Sequence, residues 1–435
     1  MDKKVKDSLR FSFFDGIFAS GMAGFTQEYF TPFLLLLNPT ARHVAMLSAL
    51  PNFFAAFLQL KSPGLTEKLK SRKKVITGFV LIQALMLLPM IVMSLLGNTR
   101  PELFIFFVVL FTSSGAVATT AWGSLMSDLV SSRGRGAYFG WRNRALGFVT
   151  VIAAFTAGVL LNTMKKINIF RGFTVLFFFA FIFRMVSWFF LRKMYEPHIE
   201  YKKEHYFSLI DFVLSMRKRN FAKFVLFVSL MNFSVNLASP FFSLFILRDL
   251  KFSYMLYTII TVTATLTIYL IIGRWGRHAD KVGNLKVIRF TSSLIGVIPL
   301  LWLINRSPLF LIGAQIFSGF VWAGFNICTT NFIYDAVTPQ KRVRCISYFN
   351  VLNGLALCGG ALLGGLLLPW MPPVFGYKIL TLFLISGVLR LIVGILMPPG
   401  LKEVREVEHV RHNDLFFSVI GIKPMLGIER KTIRY

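Results

Sequence analysis

Glu28 is the residue of this chain best placed to do chemistry. It stands in the apolar stretch 11–37, which holds one other carboxylate, Asp15, and no lysine or arginine. A carboxylate inside a bilayer is costly and is usually retained for function. Glu28 offers two chemistries, taking up and releasing a proton or anchoring a cationic group. A structural hydrogen bond to a neighbouring helix is the plainer role. Gly16, Ser20, Gly24 and Glu28 recur every four residues, so on a helix they share one slowly drifting face. Such a stripe of small residues lets another helix approach closely. Asp15, about two turns into the stretch, is expected to cap or pair near the interface.

The elements that position these groups are written twice. Asp128-Leu-Val-Ser-Ser-Arg-Gly-Arg135 returns as Asp335-Ala-Val-Thr-Pro-Gln-Lys-Arg342, an offset of 207 that also carries Asn143 onto Asn350, Gly147 onto Gly354 and Gly158 onto Gly365. Pro32-Phe33 returns as Pro240-Phe241 and Arg184 as Arg390. The offset of 208 between the proline pairs sets Glu28 opposite Asn236 and Gly24 opposite Asn232. Each half holds about six runs near the roughly 20 residues needed to cross hydrocarbon. They fall near 11–37, 44–61, 75–96, 103–126, 139–163 and 172–191, then 221–247, 254–272, 287–304, 308–331, 346–369 and 377–397. A duplicated set of six spans is the layout of a two-bundle transporter with its site between the halves.

Composition agrees: the 435 residues are 55% hydrophobic and only 15% charged, too apolar for a soluble chain of this length. The net charge of +29 would suggest nucleic acid in a soluble protein, but no basic domain with interleaved aromatics stands outside the spans. With the N-terminus inside, only about nine of the 48 Lys and Arg fall in outside loops. That bias predicts both termini in the cytoplasm and basic loops against anionic lipid headgroups. Cys328, Cys345 and Cys358 have no spacing that suits a metal or a disulfide frame. No cleavable signal peptide is visible, so the first span is expected to serve as its own targeting signal. Four regions follow: an N-terminal bundle (1–191), a cytoplasmic linker with an amphipathic helix (192–220), a C-terminal bundle (221–397) and a basic cytoplasmic tail (398–435).

Between the second and third spans of the second half lies Gly276-Arg-His-Ala-Asp280-Lys281-Val-Gly283. This loop resembles the signature loop of the major facilitator superfamily. The first-half counterpart is degenerate, with Pro63, Glu67 and Lys70 where the pattern has Gly, Asp and Gly. The resemblance covers all twelve spans. It implies an all-α membrane fold of two six-helix bundles with pseudo-two-fold symmetry, working by alternating access. It implies that the loops latch the bundles on the cytoplasmic side, with Gly276, Asp280, Lys281 and Gly283 in the latch and Asp128, Arg135, Asp335 and Arg342 as partners. It also implies that the first and seventh spans face each other across a central cavity. One wall would then carry Glu28 and Gln27 and the other Asn232 and Asn236, with Trp122, Gln315 and Asn326 on further cavity-lining spans.

Arg184 and Arg390, on spans that the resemblance makes peripheral, are expected to snorkel to the headgroups. Arg142 and Arg144 read similarly, although one of them could reach the mouth of the cavity. The fifth span has Gly147 and Gly158 but lacks the Gly-Pro pair common in drug–proton antiporters of the superfamily. No lysine sits at the midplane to receive an anion. The missing Gly-Pro pair counts against an antiporter. The expectation is a secondary active transporter of a small organic molecule, proton-coupled through Glu28. It leans to export because the cavity-lining spans show no cluster of polar or basic groups. The alternatives are an importer of a neutral polar solute bound by Gln27, Asn232, Asn236 and Gln315, or a transporter-like receptor or assembly partner acting through its tail. An enzyme is not expected, since no nucleophile–base pair, metal cluster or phosphate loop is found. The expectation is a monomer in a bacterial inner membrane without metal or other cofactor. Its partners are a small-molecule substrate, a proton or other ion, and lipid.

Overall fold

The computed structural model describes residues 3–97, 99–130, 135–197, 220–337 and 339–404. In hydrocarbon every backbone N–H and C=O must be satisfied within its own segment, so apolar runs of this length become helices. Among the described residues eleven helices are long and apolar enough to cross a membrane. The first helix, Lys3–Thr26, is not one of them, because it opens on lysines and carries Ser8, Ser12 and Asp15. It nevertheless packs lengthwise against the fifth and sixth spans and completes a set of twelve.

The first span is Lys3–Thr26 followed by Phe30–Leu36, and the second is Ala41–Leu69. The third runs as Arg72–Leu85 and Leu87–Leu96, the fourth as Pro101–Leu129, the fifth as Arg135–Met164 and the sixth as Ile169–Lys193. In the second half the seventh is Asn220–Asn236, Phe241–Leu244 and a π-helical turn, Phe245–Asp249. The eighth is Tyr254–Val282, the ninth Asn284–Ile295 with Val297–Ile304, the tenth Pro308–Ala336, the eleventh Pro339–Leu367 and the twelfth Lys378–Leu396.

Proline sets the four interruptions. It lacks an N–H and clashes with the carbonyl four residues earlier. Pro89 and Pro299 end the helical run at Leu85 and Ile295 in the third and ninth spans. Pro32 and Pro240 release the carbonyls of Glu28 and Asn236, and the helices stop at Thr26 and Asn236. The first span is therefore not the continuous helix expected over 11–37. Glu28 lies in the turn between its two pieces.

Packing follows the repeat. In the first half the first span packs on the fifth and sixth, the second on the fourth, and the third on the fourth and sixth. The same pairs recur in the second half. Across the halves the second span packs on the eleventh and the fifth on the eighth, a pair of contacts that a two-fold axis exchanges.

Lysines and arginines crowd one face, the basic face, where both ends of the described chain lie. Here the duplication extends to Glu196 and Glu403. Glu196 accepts from Arg72 N at 2.5 Å and from Ser71 Oγ at 2.6 Å, capping the third span. Glu403, 207 residues later, accepts from Leu285 N at 2.7 Å and caps the ninth. Carboxylates suit the positive end of a helix dipole. Gly283 (φ +89°) makes the turn between the eighth and ninth spans, and Lys70, at the degenerate position, takes the left-handed φ of +49°.

Candidate functional site

The halves close at the face opposite the basic one. A methyl group added to Gly158 would strike Thr258, and one added to Gly365 would strike Ala45; each contact joins opposite halves. Gly147 against Tyr269 and Gly354 against Ala56 carry the contact toward the middle. Nearer the basic face, a methyl at Gly140, Gly273 or Gly276 meets nothing within 4 Å. The fifth and eighth spans therefore touch at one end and part at the other.

Hydrogen bonds reinforce the closed end. Tyr29 Oη contacts Ala154 O at 2.5 Å and Thr258 Oγ1, in the other half, at 2.8 Å. Tyr257 Oη donates across the halves to Glu28 O at 2.7 Å and lies 3.2 Å from Ser243 Oγ. Glu28 O is the carbonyl that Pro32 leaves without its helical N–H. The proline thus creates the acceptor that the opposite half uses.

Below this seal lies a cavity of about 800 Å³, within the range of small-molecule sites. Its wall is mostly first-half: Ser20 and Gln27 of the first span, Asn52 and Gln59 of the second, Gln83 of the third, Trp122 of the fourth, Arg142 of the fifth and Arg184 of the sixth. The second half supplies Ser239, Pro240 and Ser243 at the break in the seventh span.

The charged part of the wall is built from three spans. Asp15, Arg142 and Arg184 are each more than 90% buried. Ser187 Oγ donates to Asp15 Oδ1 at 2.6 Å, and Arg184 donates to Ser187 Oγ at 3.0 Å. Arg142 Nη2 donates to Ser12 O at 2.9 Å and lies 3.8 Å from Asp15 Oδ2. Its guanidinium stacks 4.5 Å over the Trp122 ring, a favourable cation–π arrangement. Gly16 packs directly under the Arg142 guanidinium, which is how the small-residue stripe brings the fifth span close. Nε of Arg142, Nε of Arg184 and Nε1 of Trp122 are buried without a hydrogen-bond partner.

Gln27 and Trp122 line the cavity, but Glu28 does not. The turn before Pro32 carries Glu28 off the stripe toward Tyr257, and its backbone serves the seal. Asn232 bonds Asn353 at 2.6 Å, and Asn236 donates to Asn232 O at 3.2 Å, so both amides are spent inside the second half. Gln315 and Asn326 also stand apart from the cavity.

Asp128 pairs with Arg72 at 2.7 Å, and Asp335 accepts from Asn284 at 2.8 Å; these bonds tie neighbouring spans within one half rather than bridging the halves. Asp280 and Lys281 sit in the last turn of the eighth span. The side chains of Arg135 and Arg342, and residues 198–219 and 405–435 of the linker and tail, lie outside the described residues.

Neither Arg184 nor Arg390 snorkels. Arg390, 2% exposed, donates to Ser386 Oγ at 3.0 Å and to Val235 O at 3.1 Å beside the broken seventh span. Each guanidinium has found partners inside its bundle, which removes the need to reach water.

Two repeated helical bundles, a cavity between them and a seal across one end define an integral membrane transporter. The chain matches the Major Facilitator Superfamily over residues 16–274 and 224–425 and belongs to it. Solved structures share the fold. A variant of the nucleoside transporter NupG aligns with TM-score 0.71 at 14% identity, covering 91% of this chain and 100% of that one. The D-xylose-proton symporter aligns with TM-score 0.70 at 11% identity, covering 93% and 99%. A bacterial homologue of the iron transporter ferroportin, in its inward-facing state, aligns with TM-score 0.66 at 14% identity, covering 92% and 100%. No curated protein matches the sequence.

Proposed function

We propose that this protein is a secondary active transporter that carries a small organic molecule through the 800 Å³ cavity by alternating access. The basic face is cytoplasmic by the distribution of Lys and Arg, so the structure corresponds to an inward-facing state. The observation that carries this reading is the divergence of the fifth and eighth spans, in contact at Gly158 and Thr258 and apart at Gly140 and Gly276. The test is a pair of spin-label distances across the halves, Lys70 to Lys281 on the basic face and Asn38 to Lys251 on the other. Alternating access requires one distance to shorten as the other lengthens when the protein is moved between detergent, lipid and different pH. Two fixed distances under all conditions would sink it.

The coupling ion is a proton, carried by Asp15 rather than Glu28. Asp15 stands in the cavity wall between two guanidinium groups and a serine hydroxyl, so a change in its charge alters what the cavity binds. Glu28 acts in the seal. The premise for export, a cavity without basic groups, does not hold for this wall. A cavity in which proton and solute meet supports symport instead, with the direction of net movement set by the gradients.

A further inference from the structure

We infer that the transported solute is an organic anion whose carboxylate or phosphate group docks between Arg142 and Arg184. This inference rests on the cavity being the transport site. The wall holds two guanidiniums and one carboxylate within a single cluster, a surplus of one positive charge taken out of water. A buried charge of this kind is stable only when paired. Asp15 compensates one of the two. Among the described residues that line the cavity, no second carboxylate compensates the other.

The cluster also holds hydrogen-bond donors that no protein group satisfies. Each guanidinium presents five N–H groups in a planar fork that matches carboxylate or phosphate oxygens. Arg142 donates to Ser12 O and also bonds the Tyr138 side chain, and Arg184 donates to Ser187 Oγ. Nε of both arginines and the indole Nε1 of Trp122 are buried without a hydrogen-bond partner, and all three residues line the cavity. The Trp122 ring fixes Arg142 from one side, which lowers the entropy lost when the fork engages a ligand. Beyond this polar end the wall carries Met22, Phe30, Leu47, Val80 and Phe111, which suit an apolar body attached to the anionic group. Asp15 is then a resident counterion that competes with the solute for the same two cations.

The test is calorimetric titration of the full-length purified protein with four ligands sharing one ring: benzoate, phenyl phosphate, benzyl alcohol and benzyltrimethylammonium. The expected result is binding of one or both anions, with the neutral and cationic ligands at least tenfold weaker. Preference between benzoate and phenyl phosphate identifies the head group. Arg142→Gln and Arg184→Gln should each weaken the anion about tenfold or more, with partial recovery in Arg142→Lys. Asp15→Asn should instead tighten it, a change that a merely structural role for the cluster does not produce. Binding of benzyltrimethylammonium that is lost in Asp15→Asn overturns the anion assignment and leaves the cavity intact as the transport site. So does benzyl alcohol binding unaffected by either arginine. Failure of all four ligands, together with fixed spin-label distances, removes both the assignment and the transport reading beneath it.

Discussion

Arg184 and Arg390 stand 206 residues apart at matching places in the two halves, and they have opposite surroundings. Arg184 reaches a carboxylate through Ser187 and lines the cavity. Arg390 reaches only neutral acceptors, Ser386 Oγ and Val235 O, and stays inside its bundle. The difference comes from one residue on the facing span. Asp15 has Lys223 as its counterpart at the offset of 208, and Lys223 is exposed. Duplication thus preserved a buried arginine that braces the sixth span to the first and the twelfth to the seventh. Only in the first half does that brace stand in the cavity wall.

Ways to break this comparison run from the cavity outward. Asp15→Asn has the largest effect. Proton-driven accumulation of the solute in proteoliposomes is lost, while exchange of solute across the membrane continues, because the variant binds but no longer releases a proton. Loss of exchange as well would make Asp15 a structural residue.

Arg390→Gln comes next. It leaves Val235 O and Ser386 Oγ short of a donor, and unfolding in detergent should show about 1–3 kcal/mol of lost stability with solute affinity unchanged. A fall in affinity without a fall in stability would put the second half into the binding site.

Tyr257→Phe sharpens the comparison at the seal. It removes the cross-half bond to Glu28 O, worth about 1 kcal/mol, so the ratio of inward-facing to outward-facing molecules should fall about fivefold. The label pair Asn38 to Lys251 reads this directly, and an unchanged distribution would mean that glycine packing alone holds the seal.

The smallest expected effect concerns the paired turns. Lys70→Gly relieves a left-handed backbone at a cost in chain entropy and should stabilise by less than about 1 kcal/mol. Gly283→Lys should destabilise by about 1–2 kcal/mol. Equal effects of both would show that the two turns are not equivalent.

Much of this architecture was legible in the chain. The 207-residue repeat, the spans and the basic loops follow from apolar length and charge placement, which are local properties. Gln27 and Trp122 line the cavity, where the family resemblance put their spans. What escaped was the charged wall. Asp15 and Arg184 are 169 residues apart, and nothing in a helical pattern reports that two spans meet at a given depth. The expectation that Arg184 snorkels rests on the peripheral place that the resemblance gives its span. A carboxylate and an arginine at similar distances from the basic face, on the first and sixth spans, were the available signal. Glu28 was misplaced because helical spacing was carried through the turn that Pro32 imposes. The proline was visible, but its consequence for the side chain four residues earlier needed the folded backbone.

The most direct test is a titration of one anion, whichever of benzoate and phenyl phosphate binds the unaltered protein, into Arg184→Gln and Arg390→Gln side by side. Loss of at least tenfold in affinity for the first, with the second unchanged, is the result expected if only the first half handles the solute. Equal losses in both, or a loss confined to Arg390→Gln, would contradict the asymmetry on which the account rests.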